Sequence, residues 1–164
     1  MKLRTWATFV ASAVVGGALV LPLNAGAFQR RVDATACFAG GGPFQAQGGD
    51  WNIKNNNPNA ILNLMCPLPD DDSLLPQNIN FLNIHGKAAS SVGGITASAQ
   101  PCLHFWDTFG GTCGTSVSTN VQNSQFALSM GHPSIFSSAN FNHFKYINVI
   151  LPFSAGLAGI FISN

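Results

Sequence analysis

Five stretches of the chain either alternate apolar and polar positions or are short, apolar and rich in β-branched and aromatic residues: NAILNLMC (59–66), NINFLNIHG (78–86), QFALSM (125–130), KYINVIL (145–151) and GIFIS (159–163). Successive side chains on a strand point to opposite faces, so a period of two marks a strand with one buried face. Between these stretches lie KNNNPN, PLPDDDSLLPQ, GKAASSVGG, MGHPS and LPFSAGLAG, which supply the Asn, Pro, Gly and Ser that turns require. No long stretch after the N-terminal apolar run has helical periodicity, and no segment repeats another. The spacing predicts an all-β chain folded as a single antiparallel β-sandwich domain. Alternation assigns Phe126, Leu128 and Met130 to the core, with Ile147, Val149, Leu151, Leu62, Leu64, Ile79, Phe81, Ile160 and Ile162.

The segment CLHFWDTFGGTCG (102–114) places two cysteines, a histidine, a tryptophan and an aspartate close together. If residues 102–106 form a strand, Leu103 and Phe105 face the core while Cys102, His104 and Trp106 face outward. Asp107, Thr108, Phe109, Gly110 and Gly111 then supply a turn with two residues free to take positive φ, and Cys113 returns opposite Cys102. A stapled hairpin is therefore expected, with His104 and Trp106 as a possible binding face beside the bridge.

The N-terminus bears on where these cysteines reside. Lys2 and Arg4 precede an apolar run from Trp6 to Leu21, and Ala25-Gly26-Ala27 is a small-x-small cleavage site. This is the pattern of a secretory signal peptide over residues 1–27, leaving a mature domain at 28–164. The run is short for a bilayer span and is interrupted by Gly16 and Gly17, so no transmembrane anchor is expected. Removing 27 of the 164 residues leaves 137, enough for one core. A secreted or periplasmic/extracellular location follows. In such a compartment disulfides persist, and the even set Cys37, Cys66, Cys102 and Cys113 reads as two bridges. Three pairings exist; Cys37–Cys66 and Cys102–Cys113 join neighbours in sequence and are favoured. In the chain-entropy account they contribute roughly 3.5 and 3 kcal/mol.

Charge removes some partners. The mature chain has Arg30, Arg31, Lys54, Lys87 and Lys145 against Asp33, Asp50, Asp70, Asp71, Asp72 and Asp107, and no glutamate. With no basic stripe, nucleic acid is not an expected partner. A metal site of Cys102, His104, Asp107 and Cys113 would need reduced thiols in an oxidising compartment. The triplet Asp70-Asp71-Asp72 lacks the separated ligands of a helical calcium loop and reads as a solvated turn. His85, His104, His132 and His143 offer no pair with ligand spacing on one element. Ser134 near His132 lacks the G-x-S-x-G elbow of a serine nucleophile. No catalytic, cofactor-binding or metal-binding residue is assigned, and no cofactor is expected.

Ala36-Cys37 soon after the leader, the Asn-rich turns, Cys66-Pro67-Leu68, Cys102-Leu103 and the late Leu151-Pro152 resemble small exported bacterial proteins of uncharacterised function. The resemblance covers most of the mature chain and implies a disulfide-linked β-sandwich and an exported location, with no catalytic residue to carry over. Those proteins often have a cysteine two positions before the Leu-Pro, where this chain has Val149, and Cys113 has no counterpart in them.

Two non-enzymatic classes remain. One is a binding or surface domain for a glycan or protein ligand, in which Trp51 and Trp106 offer apolar faces beside Asn and Asp groups. The alternative is a self-assembling structural or fibre subunit that pairs across chains through the C-terminal GLAGIFISN, if that segment lies at a sheet edge. The leader assignment is checked by the intact mass of exported protein. A chain starting at Phe28 is expected; an N-terminal Met1 or a lipid would contradict the assignment.

Overall fold

Alternating burial along the strands builds the molecule. The computed structural model describes residues 29–40, 44–46, 53–69, 78–88, 96–105, 110–119, 121, 123–138 and 143–164. The strands are β1 (Gln29–Asp33), β2 (Phe38–Ala39), β3 (Phe44–Ala46), β4 (Ile53–Asn55), β5 (Leu62–Pro67) and β6 (Phe81–Lys87). They continue with β7 (Ser98–Phe105), β8 (Gly111–Cys113), β9 (Val117–Ser118), β10 (Gln125–Met130), β11 (His143–Leu151) and β12 (Gly156–Ser163). Short 3₁₀ turns occupy Ala34–Ala36 and Ser134–Ser138. The leader, the proposed start at Phe28, Trp51, Asp70–Asp72 and Trp106 lie outside the described residues.

Two antiparallel sheets pack face to face, as the sequence pattern requires of an all-β sandwich. The first runs β10-β6-β12-β4-β3, with β1 also on β12; the second runs β2-β5-β11-β7-β8, with β9 also on β7. Strand β12 takes β4 at Gly156 and Leu157 and β1 from Gly159 to Ser163, and its pairing with β6 on the other side shifts register between Leu157 and Gly159. A side chain on Gly159 would press into the Val32 carbonyl, so glycine lets β1 close against β12.

The core lies between the sheets and contains Leu62, Leu64, Ile79, Leu82, Ile84, Phe126, Leu128, Met130, Ile147, Val149, Leu151, Ile160 and Ile162. Every expected core position but Phe81 and Phe105 is buried. Phe81 is only half-buried, because Leu82 and Ile84 carry the inward positions of β6. Ile79 precedes the strand, and the chain changes phase between Ile79 and Leu82; a uniform period of two carried through Asn80 puts the wrong residue inside.

Both disulfides have the expected partners, Cys37–Cys66 and Cys102–Cys113, each with Cα atoms 4.1 Å apart. Backbone bonds from Gly40 to Asn63, Gly114 to Pro101 and Phe105 to Gly110 set the phase of the two ladders. Both bridges then fall on non-hydrogen-bonded pairs, where antiparallel strands bring Cα atoms closest. Along β11, Cys66 sits opposite Ile147 and Cys102 opposite Tyr146, so successive residues of one strand meet the two bridges. Pleating therefore places Cys37–Cys66 in the core and Cys102–Cys113 on the outer face.

One polar side chain joins the sheets. Asn55, only 1% exposed, donates through Nδ2 to the carbonyls of Ala60 and Leu151, each at 2.9 Å, and its Oδ1 accepts from the Asn57 backbone at 2.9 Å. Its own N–H donates to the Ala155 carbonyl, and its carbonyl accepts from Ser154 N–H. Ser154 has positive φ in the turn where β11 of one sheet becomes β12 of the other. Replacing Asn55 by Ala leaves the buried Leu151 carbonyl and the part-buried Ala60 carbonyl and Asn57 N–H without this partner and is expected to cost about 1–3 kcal/mol. Asn55→Asp, which aims a carboxylate at the carbonyls of Ala60 and Leu151, is expected to cost more; urea unfolding of both variants checks the order.

Candidate functional site

The outer face of the second sheet is built from alternate residues of five strands. Register aligns Phe38, Met65, Asn148 and Gln100 in one row, and Pro67, Tyr146, Cys102 and Cys113 in the next. Flanking rows hold Asn63, Ile150 and Ser98 on one side and Phe144 and His104 on the other. None of these positions is charged. By contrast, Lys145, on the opposite pleat of β11, is buried on the inner face.

Exposed apolar groups concentrate here. Phe38 is 64% exposed, with Met65 its direct cross-strand neighbour and Ile61 one residue before β5. Of the large apolar side chains exposed among the described residues, only Val121 lies elsewhere. Scattered exposed apolar residues are ordinary, but a contiguous group marks a contact surface. Phe144 and Tyr146, two apart on β11 and so on one face, stack with ring centroids 5.8 Å apart and an interplanar angle of 23°. Amides frame the rings. Gln100 Nε2 donates to the Gly114 carbonyl at 2.7 Å, fixing its orientation, while Asn63 is exposed and Asn148 half-buried.

His104 is exposed on this face, as alternation along 102–106 predicts, and Leu103 is buried beneath it. The hairpin register Cys102↔Cys113, Leu103↔Thr112 and His104↔Gly111 agrees with the expected staple. Phe105 departs from expectation. It is half-buried, and its ring meets His143 edge-on at 4.7 Å with an interplanar angle of 76°. The strand ends at Phe105, at the rim of the core, so an inward direction there does not bring full burial. Trp106, the other residue assigned to the face, lies outside the described residues.

The remaining histidines are dispersed. His132 Nδ1 donates to the Ile79 carbonyl at 2.6 Å, tying the loop after β10 to the segment entering β6. His143 packs on Phe105 at the inner rim, and His85 lies on the outer face of the first sheet. There it lines a concavity of about 620 Å³ with Arg31, Asp33, Gly159 and Phe161. Gly159 separates Asp33 from His85 in the register. The Asp33 carboxylate is engaged locally: Oδ1 accepts from Thr35 N–H at 2.8 Å and from its hydroxyl at 2.7 Å, capping the 3₁₀ turn. Among the described residues no group of three or more His, Cys, Asp or Glu side chains forms a metal-ligand cluster, and no helix is long and apolar enough to cross a membrane.

The aromatic and amide composition of the β2–β5–β11 surface is not legible before the register is known, because Phe38, Met65 and Tyr146 are far apart in sequence. Comparison of the chain with protein-family models, curated proteins and solved structures finds no match.

Truncation along β7 tests the face assignment. Leu103→Ala is expected to cost about 3 kcal/mol as a core cavity, and Phe105→Ala about half as much. His104→Ala should stay within about 0.5 kcal/mol. Chemical denaturation of the three variants gives the order; a costly His104→Ala would place that side chain on the wrong face.

Proposed function

We propose that the protein is an exported, non-enzymatic binding domain whose outer second-sheet face takes a neutral polysaccharide. The supporting observation is the charge-free row Phe38, Met65, Asn148 and Gln100 beside the stacked Phe144–Tyr146 pair. Sugar rings present an apolar face of C–H groups, which lies against exposed aromatic and thioether surface. Their hydroxyls both donate and accept, and amide side chains offer both functions. With no Asp, Lys or Arg among the described residues of the face, an acidic or basic ligand finds no counter-ion there. Two disulfides fit an oxidising compartment outside the cytoplasm. An exported location and the leader at 1–27 belong to this reading, and so does the likeness to small exported bacterial proteins. A face whose rows run across five strands suits a chain polymer, in which several weak sugar contacts add along the length.

Affinity electrophoresis through gels containing neutral glucans, mannans or xylans tests the reading, with an acidic polysaccharide as contrast. Retardation by at least one neutral polymer is expected, with Tyr146→Ala and Phe38→Ala each weakening it by about tenfold, the loss of one stacking contact. Equal retardation of the variants, or retardation by the acidic polymer alone, would overturn it.

A further inference from the structure

The sheet edges are unequally protected. In the second sheet β2, β8 and β9 are two or three residues long, and β2 and β8 are held by disulfides. In the first sheet β1 carries Arg30, Arg31 and Asp33. Short edge strands and edge charges both discourage a further strand from pairing. Strand β10 has neither: Gln125–Met130 is six residues without charge or proline, and it pairs in its sheet with β6 alone.

The phase of its ladder shows what that edge presents. Ala88 N–H donates to the Ser124 carbonyl at 3.0 Å, and antiparallel pairs alternate between bonded and non-bonded. Phe126, Leu128 and Met130 therefore bond to Gly86, Ile84 and Leu82, with the Phe126 ring lying over Gly86. Gln125, Ala127 and Ser129 turn three N–H and three C=O groups away from the sheet. Their side chains are exposed, and among the described residues nothing hydrogen-bonds those six groups. The C-terminal segment GLAGIFISN, the expected edge, is not one: it forms β12, flanked by β6 on one side and by β1 and β4 on the other.

We infer that β10 pairs with β10 of a second copy, antiparallel about a two-fold axis at Ala127. The outward residues are self-complementary in that register. Ala127 faces its own copy, two small side chains that leave the strands free to close. Gln125 faces Ser129 of the partner, amide to hydroxyl, and the three pairs exchange six backbone hydrogen bonds. On the inner side Phe126 falls opposite the partner's Leu128, extending the core from one copy to the next. Neither edge strand brings a charged residue to the junction; the nearest basic side chains, His85 and Lys87, lie one strand back on β6, opposite Ala127 and Gln125. The axis closes the pair, so the assembly is a dimer and not a fibre. The interface lies on the sheet opposite the polysaccharide face and does not depend on that reading.

Sedimentation equilibrium of the mature, disulfide-intact protein over a range of concentrations tests this. A concentration-dependent doubling of mass is expected, with no larger species. Ala127→Pro removes an N–H that bonds to none of the described residues, so the variant is expected to stay folded and sediment as a monomer. Lysine at both Gln125 and Ser129 sets lysine against lysine and should also give a monomer at low salt. Gln125→Lys with Ser129→Glu sets lysine against glutamate and should restore the dimer. A wild type monomeric throughout, an open polymer, or a dimer indifferent to both Ala127→Pro and the double lysine would overturn the inference. Failure of the lysine–glutamate variant to recover would overturn the register. Phe38→Ala and Tyr146→Ala are expected to leave the mass unchanged, which separates this result from failure of the binding proposal.

Discussion

The amide of Asn55 holds the two sheets in one relation. It sits where β4 of the first sheet passes the end of β11 in the second, and it bonds to the last carbonyl of β11 and to the loop that leads into β5. Its backbone grips the turn through which the central strand of one sheet becomes a central strand of the other. A sandwich needs such a corner, because apolar packing between sheets is non-directional and leaves their offset free. Directional bonds in a buried site remove that freedom, since any slip would leave several buried polar groups unpaired.

The disulfides act within one sheet. Each ties a short edge strand to a longer neighbour, where few backbone hydrogen bonds would hold it. A chain with a small core gains from removing unfolded-state freedom at such points. The pleat then gives the bridges different surroundings. Cys37–Cys66 contributes to the core, whereas Cys102–Cys113 lies among the side chains of the outer face, with Cys113 exposed and Cys102 buried beneath it.

The two outer faces follow opposite chemistries. The first sheet displays Arg31, Asp33, His85 and Lys87, whereas the second displays aromatic, thioether and amide groups. In a chain with so few charged residues, no Asp, Lys or Arg among the described residues lies on the outer face of the second sheet. The same scarcity leaves β10 without the edge charges that guard β1, so the low charge of the sequence bears on both the ligand face and the strand edge.

Periodicity and cysteine spacing by themselves determined the fold class, most of the core and both bridges. These rest on local rules: side chains alternate along a strand, and a cysteine pair close in sequence has few other partners to reach. The inward Leu103 and outward His104 follow from the same rule, within one strand. It fails where the chain changes phase, as between Ile79 and Leu82, and where a strand ends at the rim, as at Phe105. Tertiary structure alone decided that Asn55 of KNNNPN is buried and bonded while Asn57 accepts from the Asn59 N–H in a turn, that GLAGIFISN is interior and that QFALSM is an edge. It also decided that Phe38, Met65 and Tyr146 share a surface. Strand order and register are non-local, set by which segments pair across the chain, and no window of sequence contains both partners.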